Sequence, residues 1–490
     1  MVTLITGNDR KTWRRTAGAT AAAVTALALA ACSPMVGGRQ ILLPDLPKNT
    51  EMTSASAREH QRVLAAYGRA YEDPKLHAKL ASVVDRLVAA SDRPDLAYKI
   101  TILNSPAVNA FALPSGQLYV TRGLLGLAND SAEFASVMSH EMAHVLERHA
   151  AMREEKARNT ELISSVNDML SDPQIGAMAL ARSKDALASF SRSQELVADG
   201  IGVGIAARSG FDPYGASRLL ASMERNADLR ATGRGGDPHP LDFLSSHPTT
   251  RDRVKNAETS ARQISASGSA ERDRAGYLAS IDGLVYGEDP ADGFVRGRRF
   301  IHSKLGFTFM APEGFVLDNT AQAVIGTKEG GSEALRLDVV KVPAEQLLVE
   351  YLNSGWIENI ENGSVEELFV NGFQAATATA VGDQWAYRLY VVRFGSEVYR
   401  FIFAAKVRTP ETDAAFREAI HTFRRLSLQE IRSTKPLRLK IVRVQPSDTV
   451  ESLAARMALL DHQVERFRVL NGLDSTGRPK AGDLVKIIVE

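Results

Sequence analysis

The pentad His140-Glu141-Met142-Ala143-His144 constrains this chain more than any other feature. Residues four apart on an α-helix lie about 40° from each other on one face, roughly one turn along the axis. Both imidazoles can therefore turn toward one cation. Glu141, beside His140, can reach a water molecule on that cation. The pentad needs a helix, and its neighbours supply one. Asp130-Ser131-Ala132-Glu133 has the spacing of a capping box. Phe134, Val137, Met138, Val145 and Leu146 give the segment an apolar face. His149 falls about 180° around this helix from His140. Extrapolation points it away from the ion, as a surface histidine or one in the layer behind the ligands.

A catalytic zinc takes three protein ligands and keeps one position for water. A metzincin continuation would need glycine and histidine where Glu147 and Ala150 stand, so that class is excluded. Glu195 is the better third ligand, in the run Phe190-Ser191-Arg192-Ser193-Gln194-Glu195-Leu196-Val197-Ala198-Asp199. Glu195 and Asp199 are again one helical turn apart. One carboxylate of such a pair can bind zinc while the other accepts the free ring N–H of a ligand histidine.

Further motifs surround these. They are Asn109-Ala110-Phe111-Ala112-Leu113-Pro114-Ser115-Gly116, Tyr119-Val120, Gly123-Leu124-Leu125, Arg148-His149, and Ser246-His247-Pro248 with Arg253. Together with the pentad and the Glu195 run, the stretch 56–260 resembles the HtpX/BepA-type zinc metalloproteases (peptidase family M forty-eight). The resemblance implies a mainly helical, zincin-type endopeptidase domain. One Zn²⁺ would sit on His140, His144 and Glu195, with Glu141 as general base and Asp199 behind the ligands. It also brings His247 near the metal, either donating to the oxyanion or filling the open position in a latent state. Arg253 and Asn109 become candidates for orienting a loop or the substrate. An extended substrate is expected to add itself beside the strand Gln117–Thr121. The membrane helices of some relatives have only residues 160–180 as a place here. Glu161, Asn167, Asp168 and Asp172 interrupt that stretch.

The N-terminus has the pattern of an export signal. Lys11, Arg14 and Arg15 precede an apolar run, Thr16 to Ala31, which ends in Leu29-Ala30-Ala31-Cys32. That ending resembles a bacterial lipobox, and Cys32 is the only cysteine in the chain. Ser33 follows it, a pattern that implies an outer-membrane lipoprotein facing the periplasm.

With 59 basic and 58 acidic residues the net charge is +1, which argues against a nucleic-acid partner. At 490 residues the chain has room for several domains. We read 1–31 as a signal peptide, 32–55 as a tether, 56–265 as the protease domain and 266–295 as a linker. Alternation replaces helical periodicity after that. Residues 296–428 carry strand patterns at Phe307–Met310, Leu335–Val340, Ala376–Ala380, Tyr387–Val392 and Glu397–Phe403. They carry helix patterns at 344–352 and 411–423. This α+β layout resembles the PsbP-like fold, and no function is read from it. Ile441 to Ala454, Asn471-Gly472-Leu473 and Gly482 to Ile487 resemble a LysM repeat of β-α-α-β order across 438–490. That resemblance implies peptidoglycan as a partner.

The expected whole is a multidomain, lipid-anchored zinc metalloendopeptidase that acts on unfolded or misassembled envelope proteins. The alternatives are a peptidoglycan-associated hydrolase and a protease-derived assembly chaperone.

Overall fold

The computed structural model describes residues 54–153, 191–234, 242–247, 251–264, 270–320, 323–328, 330–459 and 461–490, with the pairs 35–36 and 39–40. Cys32 and its lipobox, the rest of the tether up to residue 53 and the stretch 160–180 lie outside the described residues. Met1–Leu46 and Pro47–Glu490 are separate compact units, and the second holds everything below. No helix among the described residues is long and apolar enough to cross a membrane.

Helix α1 (Ser54–Tyr67) leads into α2 (Pro74–Ala90). Asp73 starts α2 by accepting the N–H groups of Lys75 and Leu76, with proline at the first helical position. Leu76, Leu80, Val83, Val84 and Leu87 form its buried stripe. Three strands follow: β1 (Lys99–Leu103), β2 (Ala110–Ala112) and β3 (Gln117–Thr121). β3 lies in the middle, parallel to β1 and antiparallel to β2. The expected substrate edge at Gln117–Thr121 is therefore corrected. That strand is paired on both sides, and among the described residues no further strand pairs with β2. The strand's residues report burial but not which neighbours pair with it.

Helix α3 (Arg122–Leu127) turns the chain into α4 (Ser131–Leu146), which carries the pentad. Every residue of α4 from Ser131 to Val145 is buried. The Asp130 carboxylate accepts the Glu133 N–H at 2.8 Å, as a cap should. Glu133 reaches back one residue further than a capping box, to the Asn129 N–H at 2.8 Å. Then come α5 (Arg192–Arg208), α6 (Gly215–Arg234), the single turn α7 (Phe243–Ser246) and α8 (Arg251–Ile264).

The stretch read as a linker is part of the core. Tyr277 and Leu278 of α9 (Arg274–Ser280), with Ile281 and Leu284, are buried in the protease cluster. Buried Arg122 donates to the carbonyls of Val285 and Gly287. The small polar residues 265–275 suggest a linker, but the spacing of Tyr277, Leu278, Ile281 and Leu284 makes an apolar face.

The middle region holds a four-stranded sheet that includes Phe307–Met310 and a seven-stranded antiparallel sheet. Its order runs Glu366–Val370, Phe373–Val381, Ala386–Phe394, Glu397–Ala405, Glu333–Val340, Val324–Lys328, Phe315–Asn319. Phe307, Phe309, Phe401, Phe403, Phe416 and Phe423 fill a core of its own. The helix expected over 344–352 shortens to Leu348–Leu352. Arg393 holds the residues before it in an irregular loop by donating to the carbonyls of Val342, Pro343 and Gln346.

The C-terminal region has the order β4 (Arg438–Arg443), α10 (Val450–Ala454), α11 (Gln463–Leu470), β5 (Leu484–Val489), with β4 and β5 antiparallel. It shares one hydrophobic core with the protease region, to which it gives Leu439, Leu453, Phe467, Ile487 and Ile488.

Candidate metal centre

Helices α4 and α5 cross where Gly202 faces His140. A Cβ on Gly202 would lie 3.0 Å from the His140 nitrogen and 3.1 Å from its Cα. Glycine lets the helices come this close without a tight contact, and the approach brings the carboxylates of α5 to the imidazoles of α4. Gly202→Ala should cost about 1–3 kcal/mol by forcing the helices apart. Its urea midpoint should fall, and its zinc affinity with it.

The four side chains His140, His144, Glu195 and His247 each offer a donor atom within 4.8 Å of the others, and all four are buried. His140 Nε2 and His144 Nε2 are 3.0 Å apart. Two nitrogens bound tetrahedrally to one zinc would be separated by about 3.3 Å. The Glu195 carboxylate lies 3.6 Å from each of these nitrogens. His247 Nδ1 lies 3.4 Å from His140 Nε2 and 2.9 Å from Glu195 Oε1.

The surroundings orient these donors. His140 Nδ1 lies 3.0 Å from Asp199 Oδ1, so its N–H points away from the shared space and its Nε2 lone pair points in. Arg253 reaches both oxygens of Asp199 at 2.7 Å, Glu195 Oε2 at 2.6 Å and the His247 carbonyl at 3.3 Å. It is buried, and it ties the helix of Glu195 to the loop of His247. Asn109 stands just before β2, where its side-chain amide donates to the Tyr67 hydroxyl at 2.8 Å, so it anchors the edge strand to α1.

His149 is where the helical extrapolation fails. α4 ends at Leu146, and Arg148 adopts a left-handed φ of 53°. The chain doubles back and brings His149 Nδ1 to 3.0 Å from His144 Nδ1. His149 therefore partners the ring of His144 as Asp199 partners that of His140. A helical wheel cannot reveal this, because it assumes the helix continues.

The electrostatics suit a cation. Burial pushes the pKa values of His140, His144 and His247 down, which favours neutral rings, the form that binds a cation. Burial, then the neighbouring Glu195, pushes the Glu141 carboxyl well up. Burial raises Glu195 too, against the pull of His140 and Arg253. Burial would also raise Asp199, but hydrogen bonds from Arg253 and His140 outweigh it and hold that carboxyl down. Glu141 Oε1 is buried with no hydrogen-bond partner. The Ala112 N–H of the edge strand bonds its carboxylate. Imidazole and carboxylate donors at this spacing fit zinc.

Residues 74–261 match the model of Peptidase family M48. The chain is 28% identical over 257 residues to a β-barrel assembly-enhancing protease of Escherichia coli, covering 49% of this chain and 51% of that one. It is 29% identical over 208 residues to the mitochondrial metalloendopeptidase OMA1 of Schizosaccharomyces pombe, covering 41% and 58%. The chain thus spans about half the length of the curated relatives it matches. A solved cyanobacterial PsbP (CyanoP) from Synechocystis aligns with 26% of this chain and 91% of its own, at 16% identity and a TM-score of 0.21. The matched segment contains the crossing of α4 and α5, His247 and Arg253, so the part of the chain that resembles Peptidase family M48 is the part that builds this site.

Proposed function

We propose that this chain is a zinc-dependent metalloendopeptidase acting on extended polypeptides. The observation that carries the reading is the buried set His140, His144, Glu195 and His247 around one point, with Glu141 beside it. His140, His144 and Glu195 would hold one Zn²⁺ per chain. Bound there, the ion supplies Lewis-acid polarisation of a water molecule and of the scissile carbonyl. Glu141 accepts the proton of the attacking water and passes it to the leaving amine. Asp199 and His149 hold the ligand rings in their tautomers.

The substrate pairs with β2. Thr121 N–H donates to the Asn109 carbonyl and Leu113 N–H to the Gln117 carbonyl, so Asn109 and Leu113 face β3. By alternation, Ala110 and Ala112 face outward, on the side where Ala112 meets Glu141. Backbone pairing tolerates any sequence and requires an extended chain, which favours unfolded protein over folded. His247 fits a resting-state role: its Nδ1 sits among the donors where the fourth ligand belongs. Its Nε2, 3.7 Å from Glu141 Oε1, is placed to donate to the oxyanion once the ring swings off the metal.

The relatives named for enhancing β-barrel assembly support a role in envelope protein quality control. The Cys32 pattern extends this to a lipid anchor in the outer membrane, facing the periplasm. The LysM-like order of 438–490 extends it to peptidoglycan contact. The purified chain should cleave denatured casein, lose activity with 1,10-phenanthroline and regain it with zinc. Purified sacculi should be left intact. Cleavage of sacculi without cleavage of casein would favour the wall hydrolase instead.

A further inference from the structure

The face of β2 turned away from the pentad helix is aromatic. Ala110 is buried in the protease core, and Ala112 packs against the same cluster. Alternation turns Phe111, between them, to the opposite face. There it sits across from Tyr119 of β3. The two rings stack, with centroids 4.9 Å apart and planes 20° apart. Helix α1 adds a third ring. Tyr67 lies 5.3 Å from Phe111, and the Asn109 side-chain amide donates to its hydroxyl at 2.8 Å. His60, about two turns earlier on α1, stacks on Tyr119 at 5.8 Å, and its Nδ1 lies 2.8 Å from the Tyr119 hydroxyl. Tyr119 is fully buried by these contacts, whereas Phe111 and Tyr67 are half-buried. Phe111 has Tyr119 on its β3 side. Its other side borders the place where an added strand would run.

We propose that Phe111 and Tyr67 are specificity-determining residues. They take a large apolar or aromatic side chain at one fixed position of the extended substrate, the residue that faces Phe111. The inference rests on the pairing of substrate with β2 and adds a side-chain preference to a backbone contact that has none. The outward N–H and carbonyl groups belong to Ala110 and Ala112. A strand added antiparallel, as β2 is to β3, therefore meets Phe111 at a non-hydrogen-bonded position. Facing residues come closest there, with Cα atoms about 4.5 Å apart. Its side chain shares the face of the ring and packs on it. Ala112 meets Glu141, so the preferred position falls within about two residues of the bond that is cut. Helix α1 lies before residue 74, where the match to Peptidase family M48 begins. Tyr67 thus adds to the matched site a wall from outside it.

The test uses the full chain with zinc bound and has two parts. Cleavage sites in denatured casein are mapped by mass spectrometry. kcat/KM is then measured for peptide pairs that differ only in Phe against Ala at the position the map picks out. The parent should favour Phe by about three- to tenfold, the size of one cross-strand aromatic contact. Phe111→Ala should bring that ratio to about one, and Tyr67→Ala should lower it by about half. Phe111→Tyr should keep it. A ratio, unlike turnover, does not move when a variant merely loses stability or zinc. If Phe111→Ala folds poorly, Tyr67→Ala decides alone. Casein left uncut by the parent sinks the protease reading and this inference with it. Cleavage with no favoured position near the cut overturns the wall and leaves the protease reading standing. A Phe/Ala ratio that survives both Phe111→Ala and Tyr67→Ala does the same.

Discussion

Glu141→Gln should abolish casein cleavage while the protein keeps about one zinc per chain. The amide keeps the size of the carboxylate and removes only its ability to take a proton. General-base assistance is worth about 10²–10⁴ in rate, so turnover should fall at least a hundredfold. The zinc content should not follow, because His140, His144 and Glu195 are untouched. Their orientation comes from Asp199, His149 and Arg253, none of which leans on Glu141 for position. The fold should gain slightly. Glu141 is a buried carboxyl with an unpartnered oxygen, and a neutral amide relieves that cost. Three measurements separate the outcomes: metal content, melting temperature and cleavage of denatured casein. Cleavage within tenfold of the parent would remove Glu141 as the base.

The sequence exposes what helical periodicity can carry. His140 and His144 share a face because they are four apart on one helix, and Glu195 and Asp199 do the same on the next. What it hides depends on single dihedral angles or on close approach. His149 reads as pointing outward until Arg148 takes a left-handed conformation and returns it to His144. Gly202 carries no periodic signal, yet it is the close contact between the helix of the carboxylates and that of the imidazoles. In the middle region, alternation locates strands such as Phe307–Met310. It is silent on their order across the sheet, which long-range pairing decides.

The C-terminal β-α-α-β region should prove inseparable from the protease. Lys486 lies between Val485 and Ile487 in the last strand. It is fully buried, and its Nζ donates to the carbonyls of Gly126, Leu127 and Ala128 at 2.8, 3.1 and 2.8 Å. Those carbonyls end α3 and lead directly into Asn129-Asp130, the start of the pentad helix. Asn471 fixes the same strand by accepting the Lys486 N–H at 2.7 Å and donating to its carbonyl at 2.9 Å. On the other side, the backbone of 283–286 pairs with Leu437 and Leu439. Deleting residues 435–490 would bare Leu124, Leu127, Leu278 and Leu284, and would strip the α3 carbonyls of their donor. Such a protein should aggregate or melt without a cooperative transition, because a helix end buried without partners is not tolerated. Lys486→Met tests the donor alone. It keeps the length and apolar stem and removes the ammonium, leaving buried carbonyls unpaired, at a cost of about 2–4 kcal/mol. Urea unfolding followed by intrinsic fluorescence would register that loss as a lower midpoint at constant slope. A deletion protein that cleaves casein at the parent rate would make the region an independent module.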